Sequence, residues 1–248
     1  MLRGRARRTA ALMACTALAG ALVAGCGRAA QADAGVHEDV IATSFKTSEE
    51  LPERLAQDGT TIVVGSARAG TVVRVYEDMR CPVCEDFEET GGGEALRGMN
   101  LAGEVRTEYT LASFLDDRMG GKGSKRAANA LRAALERGKF LEYHDVLFAH
   151  QPEEAVDGYT DAFLLRMASK VEGLRGKDFD AAVKGMKYRD FVAASQQAYQ
   201  ADKVPGTPGV AVDGRLLDPY LWNGLFDADV LPMTIRVAAA AAAAKPDA

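Results

Sequence analysis

The feature that most constrains this chain of 248 residues is Cys81-Pro82-Val83-Cys84 with its flanks. Ahead of it runs Thr71-Val72-Val73-Arg74-Val75-Tyr76, an apolar stretch of strand character, and behind it Val83 to Leu96 follows a helical pattern. A strand that feeds a helix sets Cys81 among free backbone N–H groups at the positive end of the helix dipole. That position favours a thiolate, the nucleophile of disulfide exchange. Cys84 follows about one turn later, within reach of a short disulfide ring. The spacing reads as a redox-active dithiol and not as a structural staple.

The start of the chain reads as targeting sequence. Arg3, Arg5, Arg7 and Arg8 make a basic opening, and Ala10 to Ala24 is small and apolar but short for a bilayer span. The stretch ends in Leu22-Val23-Ala24-Gly25-Cys26, which looks like a bacterial lipobox, with cleavage before Cys26 and lipidation of that cysteine. An ordinary signal peptide with a chance cysteine is the rival reading. Gly27 to Val36 has no periodicity and reads as a tether. Cys15 would leave with the signal peptide and Cys26 would carry lipid, so of the 4 cysteines only Cys81 and Cys84 belong to the folded part. An exported chain with no other cysteine has no disulfide framework to explain that pair.

Of 30 basic and 35 acidic residues, residues 1–25 hold four arginines and no acid, so the mature net charge is −9. That argues against nucleic acid or anionic lipid as a partner held by charge. The length suffices for one substantial core.

Five segments are expected: a signal peptide over 1–25, a lipid-anchored tether and lead-in over 26–59, a first α/β part over 60–122 containing the dithiol, a helical insertion over 123–203, and a second α/β part over 204–248. In the lead-in, Pro52-Glu53-Arg54-Leu55-Ala56 reads as the start of a short helix. Strands are expected at Thr61–Gly65, Val72–Tyr76 and Glu104–Leu111, and the helix after the cysteines should run out near Gly98. Apolar residues at three- and four-residue spacing, among them Leu131, Leu135, Phe140, Leu147, Phe163, Val183, Phe191 and Tyr199, make the middle helical. Asp213-Gly214, between Gly209–Val212 and Arg215–Leu217, is a hairpin signal, and a final helix is expected from about Asp227.

Just before that hairpin lies Val204-Pro205-Gly206-Thr207-Pro208-Gly209-Val210, a turn in which Thr207-Pro208 is poised to be cis. With Asp78-Met79-Arg80-Cys81-Pro82-Val83-Cys84-Glu85-Asp86-Phe87, this turn makes the chain resemble the DsbA-like branch of the thioredoxin superfamily, over about Thr60 to Ala240. The resemblance implies an α/β thioredoxin fold with an inserted helical domain. It implies that Cys81 is the exposed nucleophile, Cys84 its buried partner and Pro208 the cis-proline beside the disulfide. Thr207 would bind an extended substrate strand through its backbone, with Pro82 and Val83 beside it.

The pattern has departures. Many relatives carry a buried acid six positions before the first cysteine, where this chain has Val75, although Glu77 and Asp78 lie nearer the motif. The dipeptide Pro82-Val83 lacks the histidine of the strongest oxidants. Glu85 and Asp86 would oppose a thiolate and Arg80 would favour one. The Cys81 pKa is expected to be lowered, but less than in those oxidants.

The expected activity is an extracytoplasmic protein-disulfide oxidoreductase, acting as an oxidase on exported cysteine-containing proteins. It would be monomeric, lipid-anchored at the outer membrane face, recycled by a membrane redox partner, and independent of a cofactor or metal. A reductase or isomerase shares the same site, the choice resting on potential and recycling partner. A copper-binding role is a further alternative, since two thiolates suit a soft ion. Zinc is disfavoured by the scatter of His37, His144 and His150, the latter two reading as surface or helix-packing residues.

Overall fold

The computed structural model describes residues 44–244; the signal peptide and the Cys26 lipobox lie outside the described residues. A short 3-10 turn at Ser48–Glu50 leads into a six-stranded sheet of order β1-β2-β4-β3-β5-β6, formed by β1 (Glu53–Leu55), β2 (Ile62–Val64), β3 (Thr71–Asp78), β4 (Val105–Ala112), β5 (Gly209–Val212) and β6 (Arg215–Leu216). β3 runs parallel to β4, with Val75 opposite Tyr109, and antiparallel to β5, with Tyr76 opposite Gly209. The register carries the last residue of β3 towards the dithiol and the first residue of β5 back beside it.

Residues 53–55 correct the reading of the lead-in: they form an edge strand and not a helix. Pro52-Glu53 has the chemistry of a helix start, but Arg54 pairs with Val63 and Leu55 with Ile62 across a tight antiparallel ladder. A second correction follows the cysteines, where one helix was expected. The chain makes α1 (Pro82–Glu89) and α2 (Gly92–Leu101), divided at Gly91, whose φ of 114° lies in the region that favours glycine.

Six helices lie between β4 and β5: α3 (Leu115–Met119), α4 (Gly123–Leu135), α5 (Phe140–Phe148), α6 (Asp161–Ala168), α7 (Lys177–Lys184) and α8 (Arg189–Ala201). α4 to α8 fall in the segment expected to be the helical insertion, and α3 precedes it. α8 docks on β4, where Ser195 Oγ accepts from the Leu111 N–H at 3.0 Å. After β6, a 3-10 stretch at Pro219–Phe226 precedes α9 (Leu231–Ala244), so the last helix begins later than Asp227. Among the described residues no helix is long and apolar enough to cross a membrane.

Strand alternation sorts β3 into two faces. Val73, Val75 and Glu77 share one face, and Arg74, Tyr76 and Asp78 the other. Val73 and Val75 join the main core with Cys84, Phe87, Phe140 and Phe148, and Tyr76 packs with Tyr199, Val204 and Ala211. Both faces are thus covered, which is why the acids at the end of β3 are wholly buried.

Candidate active site

Cys81 is the N-cap of α1 and Pro82 its first residue, a position where the missing N–H of proline costs nothing. The Cys81 N–H donates to the Asp78 carbonyl at 2.8 Å, and the Cys81 carbonyl accepts from the Cys84 and Glu85 N–H groups at 3.1 and 3.2 Å. Cys81 is 7% exposed and Cys84 0%. The nucleophile expected to be exposed is therefore nearly covered, although it remains the more accessible of the two free thiols.

The Thr207-Pro208 bond is cis. The loop it shapes closes on Cys81: the thiol donates to the Thr207 carbonyl at 3.2 Å. Gly209 allows that closure, because a Cβ there would lie 2.3 Å from Val204 Cγ1. The Cys81 pKa is lowered to about 6, first by a hydrogen bond from the Cys84 thiol, then, against the cost of burial, by the Thr207 side chain and the Cys84 and Val83 N–H groups. The Thr207 hydroxyl is buried and has no other partner among the described residues, so it is free to donate to the thiolate. Burial pushes the Cys84 thiol well up, with help from its bond to Cys81 and the charge of Glu77. The two sulfurs thus differ in kind, one a stabilised thiolate and the other a protonated thiol.

Arg80 does not do what its place in the sequence implied. Its side chain is 1% exposed and turns from the thiolate to Asp116 Oδ1 at 3.1 Å, the Gly120 carbonyl at 2.8 Å and the Glu154 carbonyl at 2.7 Å. Neither Arg80 nor Glu85 and Asp86 figures among the main causes of the Cys81 shift. Backbone and neighbouring hydrogen bonds take the part assigned to the cation.

Thr207, Pro208 and Val83 line a groove of about 920 Å³ with Leu216, Leu217 and Trp222, and Val83 is 39% exposed on its wall. Pro82 is exposed at the start of α1 but is not among the groove residues. Three further residues support the site, Glu77 and Asp78 near the motif and Gln151, which local sequence gave no reason to choose. Gln151 Nε2 donates to the carbonyls of Met79 and Cys81 at 2.9 and 3.1 Å, fixing the loop before the helix. Asp78, pushed up to about 6 by burial, accepts from Ser124 Oγ and the Leu115 N–H at 2.5 and 3.0 Å. Glu77 lies on the same face of β3 as Val75, two residues nearer the dithiol, and pairs with His144 Nε2 at 2.8 Å.

His144 is wholly buried and packs against Phe140 and Phe148 of its own helix, as the helix-packing reading has it, and the charge of Glu77 holds its pKa up at about 10 against the cost of burial. His150 is exposed. Glu77, Glu88 and His144 are the cluster of metal-ligating type among the described residues.

The sheet order, the dithiol at a helix N-terminus and the cis-proline loop against it define a thioredoxin fold. The thioredoxin family profile matches residues 57–225, and the chain belongs to that family. Its architecture is that of solved DsbA-like thiol–disulfide oxidoreductases. It is 25% identical to the reduced DsbA of Mycobacterium tuberculosis, with a TM-score of 0.56 over 74% of this chain and 99% of that one. It superposes on oxidised BdbD from Bacillus subtilis with a TM-score of 0.62 at 20% identity, covering 75% of this chain and 96% of that one. Among curated proteins it is 23% identical to the probable disulfide bond formation protein D of Bacillus cereus, over 63% of this chain and 71% of that protein. It is also 28% identical to the Na(+)/H(+) antiporter NhaA 3 of Salinispora tropica over 75% of this chain, but spans only 26% of that protein.

Proposed function

We propose that this chain is an extracytoplasmic protein-disulfide oxidoreductase that works as an oxidase on exported cysteine-containing proteins. The observation that carries this reading is the asymmetry of the pair: a Cys81 thiol lowered to about 6 beside a buried Cys84 thiol raised well above its ordinary value. In the oxidised form a substrate thiolate attacks Cys81 Sγ. The Cys81–Cys84 bond breaks, its electron pair leaves on Cys84, and Cys84 takes up a proton. A second substrate thiolate then attacks the substrate sulfur of the mixed disulfide. Cys81 leaves as a thiolate, and the substrate is left oxidised. A stabilised thiolate is a good leaving group and stabilises the reduced enzyme, which makes the couple oxidising.

The groove of Val83, Thr207 and Pro208 supports binding of an extended apolar segment beside Cys81. The basic opening and Ala24-Gly25-Cys26 support a lipid anchor on the outer face of the membrane. A membrane redox partner would then return the dithiol to the disulfide, and a monomer suffices for the cycle.

The equilibrium of the couple against glutathione tests the direction. A Cys81 pKa of about 6 lies between the ~7 of thioredoxin and the ~3.5 of DsbA, so the potential is expected between about −270 and −120 mV. A value at or below about −270 mV would make the protein a reductase and overturn the oxidase reading.

A further inference from the structure

β3, α1 and α5 bring together three side chains behind the dithiol that the exchange reaction does not consume. Glu77 is 0% exposed, Glu88 9% and His144 0%. A donor atom from each lies within 4.8 Å of the other two. Glu77 Oε2 and His144 Nε2 are in contact at 2.8 Å. That contact leaves Glu77 Oε1, Glu88 Oε1 and His144 Nδ1 without hydrogen-bond partners among the described residues. A buried unpaired donor or acceptor costs about 1–3 kcal/mol, and more when charged. Burial and the charge of Glu77 push the Glu88 carboxyl well up, so without a cation it holds a proton that a bound ion would displace.

The cluster has a way in. Glu88 and Asp145 line a surface pocket of about 390 Å³ together with Glu89, Glu94, Arg97 and His150. Room for the Glu88 carboxylate depends on Gly93, where a Cβ would lie 2.2 Å from Glu88 Oε2. Sequence position explains the convergence: Glu88 is four residues after Cys84 on the same helix, Glu77 follows Val75 on the inward face of β3, and α5 supplies His144 from the insertion.

We propose that Glu77, Glu88 and His144 form a site for a first-row divalent transition-metal ion, of which Zn²⁺ fits best. Three protein ligands with an open fourth position is a known zinc arrangement, and an imidazole nitrogen beside carboxylates selects against Ca²⁺ and Mg²⁺, which take oxygen donors. A tetrahedral ion about 2.0–2.1 Å from each donor needs donors about 3.3 Å apart. That separation falls between the 2.8 Å contact and the 4.8 Å limit that encloses all three. A bound ion would tie the strand entering the motif, the dithiol helix and the helical insertion to one point. The rival arrangement is a metal-free ion pair, with a protonated His144 held by Glu77.

The test is a Zn²⁺ titration by calorimetry on the full chain, stripped of metal, with Cys81–Cys84 oxidised and Cys15 and Cys26 alkylated so that no thiol competes. One ion per chain is expected. Glu88→Gln, nearly isosteric and at the pocket side of the cluster, should weaken binding about tenfold or more. Glu94→Gln, in the same pocket but outside the triad, should stay within about twofold. Where Glu88→Gln fails to fold, Co²⁺ absorption of the parent protein gives the same answer through a nitrogen–oxygen ligand-field spectrum. No stoichiometric binding by the folded parent, or equal weakening by both substitutions, would overturn the site and leave the ion pair.

Discussion

Cys81 Sγ lies 3.2 Å from the Thr207 carbonyl oxygen, 126 residues later in the chain. This contact joins the dithiol helix to the loop that lines the groove. It also sets a buried hydroxyl, that of Thr207, beside the sulfur. Replacing Thr207 by Val keeps the shape and removes the donor. A hydrogen bond to a charged group is worth about 1.5–3 kcal/mol and one pKa unit about 1.4 kcal/mol. The Cys81 midpoint in Thr207→Val should therefore rise by about one to two units, read as thiolate absorbance of the reduced protein against pH. An unmoved midpoint would show that the hydroxyl does not serve the thiolate.

The lowered Cys81 pKa also makes stability depend on pH in the reduced protein alone. The thiol titrates at about 6 when folded and has an ordinary value of 9.0. Between these values the unfolded chain holds a proton that the folded one has released, so stability rises with pH. The contribution is fully present above the unfolded value and is lost as pH falls through 6. Oxidised protein has no such group. The gap in urea midpoint between reduced and oxidised protein should change steadily from pH 9 to pH 6 and level off below. A pH-independent gap would contradict the thiolate assignment.

The roles of the two sulfurs separate by trapping. With Cys84 buried and protonated, Cys84→Ala leaves Cys81 able to form a mixed disulfide with nothing to resolve it. Such a variant should accumulate mixed disulfides with client proteins, and Cys81→Ala should accumulate few. Comparable amounts on non-reducing gels would reverse or void the assignment.

What could be read from sequence was local. The strand at Val72–Tyr76, the helix at Pro82 and the Asp213-Gly214 hairpin each carry their own pattern within a few residues. β1 does not: Glu53-Arg54-Leu55 is a strand because β2 lies beside it, and nothing inside the tripeptide says so. Glu77 and His144 are 67 residues apart on different elements, so their pairing has no signature in either neighbourhood. Glu77 itself was within reach, since it follows Val75 by two residues and alternation places both on one face. Arg80 misled for the converse reason: adjacency to Cys81 in sequence says nothing about where a long side chain ends.

The anchor has its own test. The lipobox reading rests on Ala24-Gly25-Cys26 after a basic and apolar opening. Cys26→Ser should move the protein from the membrane to the soluble fraction of lysed cells. Equal membrane retention by parent and variant would end the lipoprotein reading without touching the dithiol chemistry.

Arg80 separates structural from catalytic effects at the motif itself. Its guanidinium is buried against Asp116, which in turn accepts the Ser124 and Lys125 N–H groups at the start of α4 at 2.9 and 3.0 Å. Arg80→Met removes the cation and leaves Asp116 buried and uncompensated, a loss of about 3–5 kcal/mol. At about 2–4 °C per kcal/mol for a domain of this size, the melting temperature should fall by about 6–20 °C. The double change Arg80→Met with Asp116→Asn should recover part of it, because no charge is then stranded and the amide oxygen can still accept from the start of α4. The Cys81 midpoint should meanwhile stay within about half a unit of the parent, a shift worth about 0.7 kcal/mol, since Arg80 points away from the sulfur. A midpoint that rises by a unit or more with unchanged stability would restore Arg80 as a thiolate partner and contradict the geometry of its four hydrogen bonds to Asp116, Gly120 and Glu154.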